Sequence, residues 1–230
     1  MPKEQHEFDQ YAQHYETVID QYVEFSGQSQ DFYTRAKADH LRLILERKPS
    51  TARLSVLDIG CGHGLIHPYL NDTRYLITGI DVAEEAIKVA RHTNPHVLYD
   101  QYDGTHLPYA DDSFDVAFTI CVMHHVPVHQ WDGFVSEARR VLRPGGTFVV
   151  FEHNKLNPLV QWVVRRHPFD RNAVMLTAWR ARKLMQRAGF RQVECTHILF
   201  FPFEGPLFRR IEGFLPWLPM GAQYFVTGIK

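Results

Sequence analysis

The chain has 230 residues with 45% apolar content and a formal net charge of −1, a balance that excludes an intrinsically disordered chain. Its length suits one large domain. The polar N-terminus is unlike a signal peptide, and no apolar run approaches about 18 residues. We therefore expect a cytoplasmic protein without a transmembrane segment, and three widely spaced cysteines argue against a disulfide framework.

The charge is unevenly distributed. The stretch from Arg139 to Arg191 contains roughly twelve Lys and Arg but two acids. Residues 1–138, in contrast, contain about eleven more acids than bases. Ion pairing within the molecule is one explanation, and an anionic acceptor or peripheral contact with an anionic membrane is another. Nucleic acid is not an expected partner, because interleaved aromatic and basic repeats are missing. The sequence leaves the oligomeric state open.

The N-terminal segment, residues 1–53, has a helical and aromatic character, with a second helix predicted around Phe32 to Glu46. Strand-like and helix-like runs then alternate, which predicts an α/β fold with a doubly wound parallel sheet and helices on both faces. Ligands of such sheets gather at the carboxyl ends of the strands.

The first strand, Leu54 to Leu57, leads into a turn in which Gly60, Gly62 and Gly64 alternate. Alternating glycines let the backbone approach a ligand closely, and we expect Leu65 to Leu70 to start a helix whose amides face that ligand. The spacing differs from the G-x-G-x-x-G of dinucleotide sites, and Asp58 would repel a pyrophosphate. The negative charge of Asp58 suits S-adenosylmethionine (SAM), because its amine and its sulfonium are both positively charged. A glycine-rich turn without a ligand is the alternative.

Two further acids follow the next strands. Asp81 comes after Tyr75 to Ile80, about twenty residues beyond the glycines, where it can accept both ribose hydroxyls of an adenosine. Its alternative is to cap the helix predicted from Ala83 to His92. Asp103 follows the weak third strand, His96 to Tyr99, and can accept from an adenine amino group while nearby amides meet the ring. Turn formation is the alternative for Asp103.

Three histidines follow the fourth and fifth strands, predicted at Phe114 to Ile120 and Thr147 to Phe151 with a helix from Trp131 to Leu142 between them. His124 and His125 come after the fourth strand and His153 after the fifth. An imidazole there can act as the base for methyl transfer to a hydroxyl, and we favour His125 slightly, then His153. Structural histidines are the alternative. His63 and His67, and likewise His125 and His129, are spaced four residues apart as on one face of a helix. No metal site is expected, since no third ligand accompanies either pair.

The C-terminal third carries the acceptor side. An irregular, Arg-bearing insertion is followed by a helix from Thr177 to Ala188 and by strands at Arg191 to Phe201 and Gln223 to Ile229, joined by an aromatic, proline-rich loop. Aromatic residues beside basic ones suit a small-molecule acceptor that is hydrophobic or anionic, such as a prenyl quinone, a lipid-linked sugar or a natural-product scaffold. The alternative is that the aromatics only cap the sheet.

Taken in order, several segments resemble class I SAM-dependent methyltransferases, in the group that includes ubiquinone and menaquinone methyltransferases. They cover residues 8 to about 152 and none of them fixes the acceptor. The matching segments are Phe8 to Tyr15, Asp58 to Gly64, Asp81, Asp103 to Pro108, Ser113 to Asp115, Met123 to Val126 and Glu137 to Gly146.

The resemblance implies a Rossmann-like seven-stranded sheet whose last strand is antiparallel. It also implies an N-terminal helical lid over residues 1–53, ahead of a core over residues 54–230 with acceptor-side insertions at about 153–176 and 202–222. Tyr11 or Tyr15 would close over the cofactor, and Cys121 would lie against its methionine portion. The alternatives are that the tyrosines only pack within the lid and that Cys121 is a core thiol. The expected cofactor-binding set is Tyr11, Tyr15, Asp58, Gly60, Cys61, Gly62, Gly64, Asp81, Val82, Asp103, Gly104, Thr105 and Cys121.

Two functions remain open at this point. One is methyl transfer from SAM to a hydroxyl oxygen of a small molecule. The other is a non-catalytic SAM-binding protein that serves assembly or regulation.

Overall fold

The computed structural model describes residues 28–48, 53–164, 174–201, 203 and 205–230. Six α-helices and seven strands lie in these ranges, together with two 3₁₀ helices at His67–Leu70 and Val128–Gln130. The helices are α1 (Gln30–Glu46), α2 (Glu84–Thr93), α3 (Trp131–Val141), α4 (Pro158–Val164), α5 (Ala178–Arg187) and α6 (Pro206–Glu212). The strands are β1 (Leu54–Ile59), β2 (Tyr75–Asp81), β3 (Leu98–Gln101), β4 (Phe114–Ile120), β5 (Leu142–His153), β6 (Arg191–Ile198) and β7 (Gln223–Ile229).

The strands form one sheet in the order β3-β2-β1-β4-β5-β7-β6. The first five strands run parallel, and β7 pairs antiparallel with both β5 and β6. This confirms the predicted α/β class and the antiparallel last strand. The strand order reverses between β1 and β4, so the carboxyl ends of these two strands form the crevice where such sheets bind ligands.

Both faces of the sheet are buried, as a parallel sheet requires. Alternate residues of β1 point to opposite sides because the side-chain period of a strand is two. Leu57 and Ile59 lie in the core beneath α3 and α5, whereas Leu54 and Val56 lie in the core shared with α1 and α2. The central strands are therefore apolar on both sides, and polar side chains concentrate at the strand ends.

The predicted elements differ from the structure at several places. Helices α4 and α6 form within the stretches that were expected to be an irregular insertion and a loop. The helix expected from Leu65 to Leu70 is only the short 3₁₀ helix His67–Leu70, so no α-helix amides follow the glycine turn. Strand β5 begins at Leu142, ahead of the predicted Thr147, so Pro144 to Gly146 lie inside the strand. The register with β4 shifts there: Phe114 pairs with Leu142, whereas Val116 pairs with Thr147. Gly145 takes a φ of +79° there, which glycine adopts without strain.

Helix α1 packs its buried face into the core, with Ala38, Leu41 and Leu45 all about 1% exposed or less. The proposed lid tyrosines, Tyr11 and Tyr15, lie outside the described residues. The division into a lid and a core stays a prediction. Within the described ranges, every helix is too short or too polar to cross a bilayer.

Candidate cofactor and acceptor site

The glycine turn is tied to the end of β2 by backbone hydrogen bonds. Gly60 N and Cys61 N both donate to the Ile80 carbonyl, and Gly62 N donates to Oδ2 of Asp81 at 2.8 Å. The other oxygen of Asp81 accepts from Ala83 N at 2.9 Å. Burial raises the pKa of the Asp81 carboxyl, and these hydrogen bonds oppose the rise. Asp81 therefore fixes the glycine turn and starts the segment that enters α2.

The three glycines of the turn all have positive φ angles, of +78°, +51° and +68° for Gly60, Gly62 and Gly64. A side chain on Gly62 would meet no atom within 4 Å, so the backbone there borders open space. A side chain on Gly60 would strike Val122 at 2.5 Å. The turn thus packs directly against the loop after β4, and it leaves room for a ligand beside Gly62.

Asp58 lies under the turn, not on its surface. Its side chain is 3% exposed, and Oδ2 lies 3.0 Å from Nε2 of His67, whose side chain is completely buried. Nδ1 of His67 in turn lies 2.6 Å from the hydroxyl of Tyr99. Burial raises the pKa of Asp58, and the hydrogen bond from His67 opposes the rise. Asp58 therefore supports the turn from its buried side. Its direct contact with the SAM amine stays a prediction.

The loop after β3 meets the same site from a third side. A side chain on Gly104 would lie 3.2 Å from Cγ1 of Val82, so this loop packs on the end of β2. Oδ1 of Asp103 accepts from Thr105 N, from the Thr105 hydroxyl and from His106 N. These hydrogen bonds hold the pKa of Asp103 below its usual range. The turn role of Asp103 is present in the structure, and its adenine contact stays a prediction.

Cys61 and Cys121 flank the crevice between β1 and β4. The Cys61 thiol lies beside Gly79, and burial raises its pKa well above the ordinary value, so it stays protonated near neutral pH. Cys121 has a φ of +55°, a conformation that non-glycine residues seldom adopt outside functional or tightly constrained loops. Its amide donates to the Phe151 carbonyl, and Nε2 of Gln223 lies 4.0 Å from its sulfur.

The three candidate histidines are brought together at the ends of β4 and β5. The ring centroid of His124 lies 4.1 Å from that of His125 and 5.5 Å from that of His153. His124 is buried, whereas His125 and His153 are half-buried. Val122, which packs on Gly60, is two residues before His124. The loop that carries His124 and His125 therefore contacts the glycine turn through Val122. His124, His125 and His153 are called the histidine cluster below.

Comparison with known proteins gives the class. Residues 57–150 match the profile of the methyltransferase domain family, a stretch that runs from β1 through β5. The chain contains a class I SAM-dependent methyltransferase domain.

One relative of this methyltransferase domain is phthiotriol/phenolphthiotriol dimycocerosates methyltransferase 1 of Mycobacterium ulcerans. It is 33% identical over 131 residues, which cover 54% of this chain and 47% of that protein. The match thus spans about half the length of the relative.

Solved structures agree on the fold. A SAM-dependent methyltransferase of Thermotoga maritima matches with a TM-score of 0.65 at 21% identity, over 93% of this chain and 99% of that one. Phosphoethanolamine N-methyltransferase 2 of Haemonchus contortus, solved in complex with S-adenosyl-L-methionine, matches with a TM-score of 0.60 at 17% identity, over 84% of this chain and 52% of that one.

Four residues at the methyltransferase domain's site do not belong to the predicted catalytic or cofactor-binding sets. His67 and Tyr99 support Asp58, Glu152 contacts His124, and Gln223 lies beside His153. His67 falls in the segment wrongly expected to be helical. The only local signal for Glu152 was its place at the end of an apolar strand.

Most of the basic residues in the segment from Arg139 to Arg191 that the structure describes have acidic or aromatic partners within the methyltransferase domain. Arg140 pairs with Glu137 and Asp111. The Arg180 guanidinium lies 4.3 Å from the centre of the Trp131 ring. Two more pairs, Arg143 with Asp115 and Arg187 with Asp132, join the segment to the acidic half. Part of the uneven charge is thus compensated by ion pairs among the described residues. An anionic acceptor stays a prediction.

Proposed function

We propose that this chain transfers a methyl group from SAM to a hydroxyl oxygen of a small, partly apolar molecule. The observation that carries the proposal is the histidine cluster beside the glycine turn, which places bases next to the cofactor crevice. SAM supplies the electrophilic methyl group when it is bound. Asp81, Val82 and the backbone of the glycine turn would hold its adenosine part, and the open space at Gly62 fits such a ligand.

The cluster suits a hydroxyl acceptor because such an acceptor must lose a proton. In such a transfer the oxygen would bond to the methyl carbon while the carbon–sulfur bond breaks, and the electron pair of the broken bond would stay on the sulfur of SAM. The hydroxyl proton would go to an imidazole nitrogen of the cluster. His125 and His153 are the more accessible members, and a positioned base contributes about 10²- to 10⁴-fold to the rate. His124 is the buried third candidate.

The apolar character of the acceptor is supported by two adjoining segments on the acceptor side. The Asn154 side chain donates to the Pro219 and Gly221 carbonyls, and that of Asn157 donates to the Met220 carbonyl. These hydrogen bonds hold the start of α4 beside the loop before β7. Large apolar side chains are exposed on both segments: Leu156, Leu159, Phe214, Trp217 and Met220. The Mycobacterium ulcerans relative is, by its name, a methyltransferase of dimycocerosates, which agrees with an apolar acceptor.

The test is incubation of the full chain with methyl-labelled SAM and an extract of the source organism, with Asp81→Ala as the control. We expect a labelled small molecule that carries the label as an O-methyl ether, and no such product from the control. Binding of SAM without any labelled product would favour the non-catalytic alternative. A label on carbon or nitrogen would refute the hydroxyl acceptor, and failure to bind SAM would refute both functions.

A further inference from the structure

Glu152 is the last buried residue of β5, and its carboxylate lies among the three histidines. Its side chain is 1% exposed and that of His124 is 2% exposed, with Oε2 of Glu152 2.6 Å from Nδ1 of His124. The other carboxylate oxygen, Oε1, accepts from the His124 backbone amide at 3.3 Å. Both oxygens therefore hold the same residue, which orients the His124 ring and its backbone together.

The charge state of Glu152 follows from this environment. Burial alone would raise its pKa, but the neighbouring imidazoles, foremost His124 and then His153 and His125, hold the pKa below the ordinary value. The carboxylate is therefore ionised at neutral pH. On β7, Tyr224 also faces it and stays neutral, because burial and the Glu152 charge raise the tyrosine pKa.

An ionised carboxylate accepts hydrogen bonds but cannot donate them. The hydrogen of neutral His124 must therefore lie on Nδ1, and its lone pair on Nε2. In addition, any imidazole of the cluster that gains a proton stands next to a compensating negative charge that water screens only weakly.

We propose that Glu152 is a positioning residue of the methyl-transfer site, which fixes the tautomer of His124 and stabilises the positive charge that the histidine cluster gains from the acceptor hydroxyl. The inference rests on the proposed function. During transfer the sulfonium becomes a neutral thioether and the cluster takes up one proton, so the positive charge moves toward Glu152 without changing in total. The carboxylate thereby favours the product side of the proton transfer.

The experiment is nitrogen-15 NMR of the histidine-labelled full chain, with Glu152→Gln and Glu137→Gln compared to wild type. Glu137 is the matched control, because it is also a partly shielded carboxylate that pairs with a histidine, the exposed His106 at 2.9 Å, and this histidine is not part of the histidine cluster. In wild type we expect His124 as the Nδ1-protonated tautomer. In Glu152→Gln, whose amide oxygen can still accept from Nδ1, we expect the cluster to titrate at least about one pH unit lower. Glu137→Gln should leave the cluster unchanged.

The opposite tautomer of His124 in wild type would overturn the inference, and this measurement needs no variant. An unchanged titration in a folded Glu152→Gln protein would also overturn it. SAM binding, measured by calorimetry on the same samples, distinguishes a failure of the proposed function from a failure of the role of Glu152. If wild type does not bind SAM, the proposed function is refuted. If wild type binds SAM but the histidine titration of Glu152→Gln is unchanged, only the role of Glu152 is refuted.

Discussion

Nε2 of His67 lies 3.0 Å from Oδ2 of Asp58, and both side chains are shielded from water. A buried carboxylate is tolerated only where hydrogen bonds replace its hydration. His67 supplies one such bond and is itself held by the Tyr99 hydroxyl. The acid ahead of the glycine turn is thus part of a buried chain of three residues that supports the turn from below.

Substitution of His67 by Ala should be strongly destabilising. It leaves the Asp58 carboxylate buried without its partner, and loss of one member of a buried pair costs about 3 kcal/mol or more. Urea denaturation measures the change. Arg35→Ala, which breaks an exposed pair with Asp31, should change the free energy of unfolding very little. Equal effects of the two substitutions would contradict the structural role of His67.

Gly64→Ala and Gly62→Ala should differ in stability although both glycines have positive φ angles. The left-handed conformation costs a non-glycine residue about 1–2 kcal/mol at either position. At Gly64 the new methyl group would also strike the Tyr99 hydroxyl and His67, which adds about 1–3 kcal/mol of overpacking. Thermal denaturation of both variants checks this. If Gly62→Ala proved the less stable protein, the packing of the turn described above would be wrong.

Asp81→Ala should weaken SAM binding at least tenfold in calorimetry. The substitution removes the proposed acceptor for the ribose hydroxyls and also releases Gly62 N, which donates to the carboxylate. Asp72→Ala is the control, because Asp72 lies on the surface and pairs with Arg74. Asp81→Asn keeps one oxygen that can accept a backbone hydrogen bond, so its SAM affinity should lie between those of Asp81→Ala and the Asp72→Ala control. An unchanged affinity of Asp81→Ala would refute the ribose assignment.

The stability that Glu152 contributes should depend on pH. Its pKa in the folded protein is below the ordinary 4.5, so its contribution is fully present above about pH 4.5 and is lost as the pH falls through the folded-state value. The free energy of unfolding should therefore differ more between wild type and Glu152→Gln at about pH 7 than at about pH 3. Chemical denaturation at both pH values measures the two differences. If wild type and Glu152→Gln differed in free energy of unfolding by the same amount at both pH values, the ionised carboxylate would not be stabilised in the folded state.

Much of the fold followed from local patterns. The bounds of β4 and β7 agree with the predicted Phe114 to Ile120 and Gln223 to Ile229. Helix α2 is shifted by one residue at both ends, and α3 ends one residue earlier than predicted. The helix predicted from Leu65 to Leu70 is wrong. The apolar spacing of the segment resembles that of an α-helix, but the contacts of His67 with Asp58 and Tyr99 hold it in a tighter turn. Apolar spacing alone carries no information about such contacts.

The sequence by itself determined the order of the seven strands and of four helices, α1, α2, α3 and α5. It also determined the glycine turn and the acids at or just after the ends of β1, β2 and β3. These are local properties, set by side-chain periodicity and by the backbone freedom of glycine. Only the tertiary structure decided that Asp58 is buried against His67 and that Glu152 lies against His124, 28 positions away along the chain. Such partners are chosen by the pairing of β4 with β5 and by the burial of charge, and neither leaves a repeating pattern in the sequence.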